Sequence, residues 1–282
     1  MTLREWLHEG EARLQEGPHP ESARRDAEAL LLHVTRHSRA EQLARWNEVL
    51  DEAEAASYIA LIVRRQSGEP IQYIFGEQEF YGLPFRVTRD VLIPRPETEH
   101  LVEEVLDLAA RFPAPRIVDV GAGSGAISVT LAHHLPDARI TAIDLSPAAL
   151  AVARENARFN GVAGRIRFLH GDLLAPVAEE RFDIVVSNPP YVPSGDRASL
   201  SVQVRDYEPS LALFAGNDGL DIYRRLIPAA QSALNPGGFL ALEIGYGQST
   251  VIAGLLTGSS FLDVEFLLDL QDIPRVACAR QP

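Results

Sequence analysis

The first 68 residues carry apolar side chains at helical spacing. Ala27, Leu30, Leu31 and Val34 recur at intervals of three and four, which places them on one face of a helix. No alternation of apolar and polar residues, the mark of a half-buried strand, interrupts this region. Residues 1–68 are therefore predicted to form a small helical bundle.

A short region of strand character follows at 69–93. Glycine and proline at 68–70 end the helical pattern. The runs 71–75 and 80–87 are rich in β-branched and aromatic residues, which favour a pleated sheet. The two runs predict a β-hairpin that links the bundle to the rest of the chain.

From residue 94 to residue 282, apolar runs alternate with helical stretches. A helix is predicted after Pro94, because proline and acidic residues suit a first helical turn. Apolar runs predict the strands, at 117–120, 140–143, 166–169, 182–187 and 238–244, with two shorter ones near 262–267 and 274–279. Such alternation predicts an α/β fold with a Rossmann-like parallel sheet covered by helices on both faces.

A glycine-rich loop joins the first of these strands to its helix. Its residues are Gly121, Ala122, Gly123, Ser124 and Gly125. Glycine lets the backbone turn sharply and approach a ligand, and the following helix offers free N–H groups and a partial positive charge. A carboxylate or a phosphate fits such a loop. The position between strand and helix favours a binding loop over a plain turn.

Two aspartates follow the next two strands. Asp144 ends the second strand, where its carboxylate can accept hydrogen bonds from both hydroxyls of a ribose. The glycine loop and Asp144 together suit either a methyltransferase or a nicotinamide enzyme. The dinucleotide-binding fingerprint is Gly-x-Gly-x-x-Gly/Ala, and Gly125 comes one residue too early for it, which weakens the nicotinamide interpretation. Asp172, after the third strand, is either an acceptor for an adenine amino group or the N-cap of a helix.

The residues Asn188, Pro189, Pro190 and Tyr191 end the fourth strand. Prolines cannot donate to a sheet ladder, and each restricts the residue before it, so Asn188 is held in an extended backbone. Its side-chain oxygen and the carbonyl of Pro189 provide two acceptors in one arrangement, which matches the two donors of a planar –NH2 group. Tyr191 can stack on a flat substrate. This motif predicts methyl transfer to such a nitrogen, catalysed mainly by positioning.

The chain carries a formal charge of −13, which repels a phosphate backbone and disfavours direct nucleic-acid binding. The N-terminus lacks the pattern of a signal peptide, and no apolar run approaches membrane-spanning length, so a cytoplasmic protein without membrane contact is expected.

Cys278 is interpreted as a core residue. His33 and His37 have metal-ligand spacing but no evident third ligand, and no metal site is predicted.

Across nearly its whole length the sequence resembles the release-factor glutamine methyltransferase family. The resemblance rests on the glycine loop and on three further stretches, Gly-Glu-Pro-Ile-Gln-Tyr-Ile-Phe-Gly at 68–76, Val-Leu-Ile-Pro-Arg-Pro-Glu-Thr-Glu at 91–99 and Ser-Asn-Pro-Pro-Tyr at 187–191. Asn-Pro-Pro-Tyr is shared with amino methyltransferases of nucleic acids. The stretch Pro-Arg-Pro-Glu-Thr-Glu, together with the helical N-terminal region, is much more specific.

This resemblance implies a class I methyltransferase fold and a protein-(glutamine-N5) methyltransferase. The implied donor is S-adenosyl-L-methionine, with S-adenosyl-L-homocysteine as product. The implied partner is a class-1 peptide chain release factor, methylated on the glutamine of its Gly-Gly-Gln motif and docked by the helical region and hairpin. Implied cofactor contacts are residues 121–125, Asp144, Asp172, Leu173 and Asn188, and implied substrate contacts are 188–191. Many relatives carry a bulky aromatic residue in place of Leu173.

Three other functions stay open at the level of sequence. An adenine amino methyltransferase of DNA or RNA would also present a planar –NH2 group to Asn188. A non-catalytic module could keep the fold to bind a translation protein, and a nicotinamide dehydrogenase ranks third. Arg95, Glu97 and Thr98 are expected to border the pocket without an assigned role. The stretch 194–208 is either a substrate lid or a loop.

Overall fold

The computed structural model describes all 282 residues, which divide into two compact units. The first unit comprises residues 1–76 and 200–207, and the second comprises 77–199 and 208–282. In chain order the elements are α1 (Leu3–Gln15), α2 (Ala23–Thr35), α3 (Arg39–Ala44), α4 (Glu52–Gln66), α5 (Ile71–Phe75), β1 (Glu77–Phe80), β2 (Leu83–Arg86), α6 (Glu97–Ala109), β3 (Arg116–Val120), α7 (Ala126–His134), β4 (Arg139–Asp144), α8 (Pro147–Phe159), β5 (Ile166–His170), β6 (Phe182–Ser187), α9 (Val202–Tyr207), α10 (Asp221–Ala233), β7 (Leu234–Glu243), α11 (Ser249–Gly258), β8 (Leu262–Leu268) and β9 (Pro274–Arg280).

The first unit is helical, which confirms the prediction for residues 1–68. Helices α1, α2 and α4 enclose a core that includes Leu7, Leu30 and Tyr58. A buried ion pair lies beside this core, where the Arg65 guanidinium donates to Asp26 at 2.7 Å. Because both side chains are almost fully buried, removing either one would leave a buried charge without its main partner.

The prediction of a strand at Ile71–Phe75 is wrong, because these residues form helix α5. Pro70 immediately precedes the helix, and Gly76 ends it in the left-handed conformation at φ 78°, donating its N–H to the Gln72 carbonyl. Proline before and glycine after a helix are ordinary boundary signals, and here they override the strand preference of the side chains. The helix buries Ile74 in the core of the first unit. The hairpin is therefore shorter and consists of β1 and β2 alone.

The second unit contains a seven-stranded sheet in the order β5-β4-β3-β6-β7-β9-β8. The first five strands in this order are parallel, and β9 and β8 run antiparallel at one edge. Every predicted strand of the sheet is present, which confirms the α/β prediction. The chain adds β4 and β5 on one side of β3 and then β6 and β7 on the other. This reversal creates a crevice at the carboxyl ends of β3 and β6, the usual ligand site of such sheets.

Helix α9 belongs to the first unit, although the chain around it belongs to the second. The Tyr207 hydroxyl donates to the Ser67 carbonyl at 3.0 Å, and the Arg65 guanidinium donates to the Gln203 side chain at 3.4 Å. The stretch 194–208, which the sequence left as lid or loop, thus contains a 3-10 turn and a short helix. None of the helices combines the length and apolar character that crossing a bilayer requires.

Candidate active site

A cavity of about 200 Å³ lies at the carboxyl ends of β3, β4 and β6, within the second unit. Most of the residues predicted from the sequence line it, namely Gly121, Ala122, Gly123, Ser124, Asp144, Asp172, Leu173, Asn188, Pro189 and Pro190. Arg95 and Thr98 of the Pro-Arg-Pro-Glu-Thr-Glu stretch also line it. Gly125, Tyr191 and Glu97 are not among its lining residues.

The glycine loop takes a conformation that only glycine adopts easily. Gly121 and Gly123 both have positive φ, at 81° and 55°. The N–H of Gly121 donates to the Ile143 carbonyl at 2.8 Å, which fastens the loop to the end of β4. Gly125 has a packing role, because a Cβ there would lie 3.1 Å from the Cβ of Ala153. Its small size allows α7 and α8 to approach each other.

The carboxylate of Asp144 is held in place by two backbone N–H groups. Its Oδ2 accepts from Gly123 at 2.8 Å, and its Oδ1 accepts from Ser146 at 2.7 Å. Each oxygen can still accept a further hydrogen bond. A half-exposed carboxylate fixed in this way, on the cavity wall, can receive a pair of neighbouring hydroxyl groups.

Asp172 lies on the same cavity wall and pairs with Arg225 of α10 through a short contact. Its side chain makes no helix-capping hydrogen bond, which removes the N-cap interpretation. Leu173 follows in a left-handed conformation at φ 48° and packs against the apolar core. Arg225 was not identified from the sequence, because it lies 53 residues away on a helix with no motif.

The Asn188 side chain has a defined orientation. Its Nδ2 donates to the Thr98 hydroxyl at 3.1 Å, and that hydroxyl donates to Oε2 of Glu243 at 2.6 Å. Neither Oδ1 of Asn188 nor the Pro189 carbonyl accepts a hydrogen bond from another group of the chain. Two acceptors beside the cavity therefore have no hydrogen-bond donor from the chain itself.

Tyr191 is half-buried and turns its hydroxyl towards Glu243, with Oη 3.4 Å from Oε1. Gln248 donates to the Tyr191 carbonyl at 3.1 Å and so fixes the backbone after the two prolines. Burial is the main reason that the pKa of Tyr191 is raised, with Glu243 adding to the effect. The phenol therefore stays protonated and can act as a donor.

Two buried glutamates near the cavity were not identified from the sequence. Glu243 ends β7 and is only 3% exposed, and burial raises its pKa to about 7. A single acid at the end of the apolar strand 234–243 was the available signal. Glu208 pairs with Arg95 and accepts from the Ile93 N–H at 3.4 Å, so Arg95 borders the cavity as half of an ion pair.

A third buried acid, Asp119, lies under the glycine loop in β3. Its Oδ2 accepts hydrogen bonds from the backbone N–H and the hydroxyl of Ser128, whereas its Oδ1 has no partner. The side chain is fully buried, which raises its pKa to about 7. The carboxyl connects the end of β3 to α7 and so supports the loop between them.

Comparisons with known proteins agree with this architecture. The PrmC N-terminal domain model matches residues 5–76, and the Methyltransferase small domain model matches residues 98–204. A solved methyltransferase from Pyrococcus furiosus shares the fold, with a TM-score of 0.52 at 18% identity over 80% of this chain and 98% of the other.

Relatives of known name are much more similar in sequence. The release factor glutamine methyltransferase of Moorella thermoacetica is 48% identical over 90% of this chain and 89% of its own. The protein of the same name from Geobacter sulfurreducens is 43% identical over 92% of this chain and 90% of its own. At this identity and coverage the chain belongs to the release factor glutamine methyltransferase family.

Proposed function

We propose that this protein transfers a methyl group from S-adenosyl-L-methionine to the side-chain nitrogen of a glutamine. The substrate is the Gly-Gly-Gln glutamine of class-1 peptide chain release factors, and the proposed compartment is the cytoplasm. One observation supports the reaction type most strongly, namely the two unused acceptors on Asn188 and Pro189 beside the cavity. The names of the relatives support the choice of substrate.

The residues around the cavity fit S-adenosyl-L-methionine. The glycine loop can receive the carboxylate of its methionine part, and Asp144 can accept from both ribose hydroxyls. The apolar side chain of Leu173 and the partly paired Asp172 are assigned to the adenine. When bound, the cofactor supplies a methyl group on a sulfonium, a good leaving group for a weak nucleophile.

The protein contributes position and electrostatics to the transfer. Oδ1 of Asn188 and the Pro189 carbonyl accept the two N–H groups of the glutamine amide, which directs one face of its nitrogen into the cavity. The same acceptors favour the positive charge that grows on this nitrogen as it attacks. Tyr191 lies outside the cavity wall, and its hydroxyl faces Glu243. Catalysis by position needs reacting atoms at about 3–3.5 Å and no strong base, because the nitrogen can release its surplus proton to water after the methyl group has been transferred.

We assign the helical unit, residues 1–76 with 200–207, to docking of the release factor, and the second unit to methyl transfer; the predicted linker at 69–93 is divided between them, because α5 packs in the core of the first unit. The match of residues 5–76 to a domain model described as PrmC N-terminal supports a family-specific role for this region.

Mass spectrometry of a release factor incubated with enzyme and cofactor tests the proposal. The expected result is one added methyl on the Gly-Gly-Gln glutamine and none on a Gly-Gly-Ala variant. Adenine-containing oligonucleotides, single- and double-stranded, are the parallel substrates for the alternative function. Methylation of an oligonucleotide, with an unmodified release factor, would replace this function with adenine amino methylation.

A further inference from the structure

We propose that Thr98 and Glu243 are positioning residues that determine which way the Asn188 amide faces. The inference rests on the proposed function, because it concerns the acceptor offered to the glutamine substrate. An asparagine side chain is nearly symmetric in shape, and turning it by 180° exchanges an acceptor for a donor. Proline restriction fixes the backbone of Asn188 but cannot choose between these two orientations.

In the chain of hydrogen bonds from Asn188 through Thr98 to Glu243, each group donates to the next. Thr98 has a single hydroxyl hydrogen, and Oε2 of Glu243 accepts it at 2.6 Å. An ionised carboxylate can only accept, so the Thr98 oxygen has only lone pairs left for Asn188. The Asn188 Nδ2 fills this place at 3.1 Å. Oδ1 must then face the opposite side.

Reversing the direction would reverse the amide. If the group at position 243 donated to Thr98, the Thr98 hydrogen would turn towards Asn188 and select its oxygen. The Asn188 NH2 would then meet the NH2 of the glutamine, donor against donor. One substrate hydrogen bond would be lost, and the nitrogen would be displaced from its line of attack.

Glu243 is well placed to set this direction, because several elements fix it. Its Oε1 lies 3.4 Å from the Tyr191 hydroxyl, and its backbone carbonyl accepts from the Tyr223 hydroxyl at 2.8 Å. Glu97 and Arg275 are the charged groups that act on it, the first raising its pKa and the second lowering it. Burial dominates, and with a pKa of about 7 the carboxyl exchanges its proton near neutral pH.

Thr98→Val is the first test, because valine keeps the shape and removes the hydroxyl. We expect kcat for release-factor methylation to fall about 100-fold, the effect of displacing a reacting group, while the cofactor Kd changes less than about 3-fold. Thr98→Ser restores the hydroxyl and should recover kcat to within about 3-fold of wild type. Thr130→Val is the matched control, because Thr130 is buried in α7 and its hydroxyl has no partner.

Glu243→Gln gives a second measurement that does not depend on Thr98→Val folding. Ionised Glu243 can only accept from Thr98, whereas protonated Glu243 can also donate through its hydroxyl, and the amide of the glutamine variant does not change with pH. The wild-type kcat should therefore fall as the pH drops through about 7, and the variant should show no such fall. If the wild type methylates the release factor, either of two results overturns the inference. One is a kcat in Thr98→Val equal to that of wild type, and the other is the same pH profile of kcat in Glu243→Gln and wild type. A wild type that leaves the release factor unmodified contradicts the proposed function instead.

Discussion

Three acidic side chains at the two ends of the parallel sheet, Glu180, Asp144 and Glu243, have different kinds of hydrogen-bond partner. At the amino ends, Glu180 gives one oxygen to Arg116 at 3.0 Å and the other to Arg167 at 2.7 Å. At the carboxyl ends, Asp144 accepts only backbone N–H groups, and Glu243 accepts only hydroxyls. Glu180 is thus paired with two arginines, whereas neither Asp144 nor Glu243 accepts from an arginine, although Asp172 and Glu208 at the same cavity pair with Arg225 and Arg95.

The two ends also differ in their cavities. The groove at the amino ends has a volume of about 530 Å³, against about 200 Å³ at the carboxyl ends. What distinguishes the carboxyl ends is unused hydrogen-bonding capacity on a rigid backbone, above all at Asn188 and Pro189. A few convergent polar groups in an apolar pocket are typical of a ligand-binding site.

The largest contrast between the two ends should come from asparagine substitutions. Asn188→Ala removes an acceptor from the substrate nitrogen, and we expect kcat to fall by about 10³-fold. Asn235→Ala at the amino ends is the matched control, because Asn235 donates to Asp183 at 2.8 Å, far from the crevice end of the strands. The rate of release-factor methylation measures kcat in both variants. An equal fall in kcat in Asn188→Ala and Asn235→Ala would contradict the expected difference between the two ends.

The buried acid at the carboxyl ends should also make stability depend on pH. Since burial raises the pKa of Glu243 from 4.5 to about 7, the folded protein holds a proton that the unfolded chain has released between these values. This contribution is complete below about pH 4.5 and is lost as the pH rises to 7, by on the order of 3 kcal/mol. Urea unfolding at pH 5 and pH 8 should show Glu243→Gln gaining stability over wild type at the higher pH. Parallel pH dependence in the two proteins would contradict this.

Substituting aspartates at the two ends should separate cofactor binding from stability. Asp144→Asn replaces a charged acceptor by an amide, and we expect the Kd for S-adenosyl-L-methionine to rise about 10- to 100-fold. Asp183→Asn is the counterpart, because Asp183 accepts from the Arg116 N–H at 2.9 Å at the amino ends. Calorimetry should find that the cofactor Kd of Asp183→Asn equals that of wild type. An unchanged Kd in Asp144→Asn would show that Asp144 does not bind the cofactor.

The smallest effect is expected at the paired acid of the amino ends. Glu180→Ala breaks two ion pairs whose members are all partly exposed, so the free energy of unfolding should fall by no more than about 1 kcal/mol. The kcat and the cofactor Kd should stay at wild-type values. Thermal unfolding measures the stability of the variant, and a methylation assay on the same preparation measures its kcat. A fall in kcat would show that the two ends of the sheet are coupled.

Features that depend on neighbours in sequence were predictable, and those that depend on distant partners were not. The strands and the glycine loop follow from periodicity and from glycine at 121–125, because these signals are local. Thr98 and Glu243 lie 145 residues apart, and only the folded sheet brings them together. The error at 71–75 has another origin, since boundary residues outweighed side-chain preference there.

Helix α9 makes the helical unit discontinuous in sequence, and this constrains how the protein can be divided. A fragment that begins at residue 77 would keep α9 but lose the Ser67 carbonyl and Gly68, which lie against Tyr207 and Val202. The reverse fragment, ending at residue 76, would expose the surface that α9 covers. A deletion or chimaera with a single boundary near residue 76 therefore divides a folded unit. Replacing the whole helical unit requires exchanging residues 200–207 together with residues 1–76.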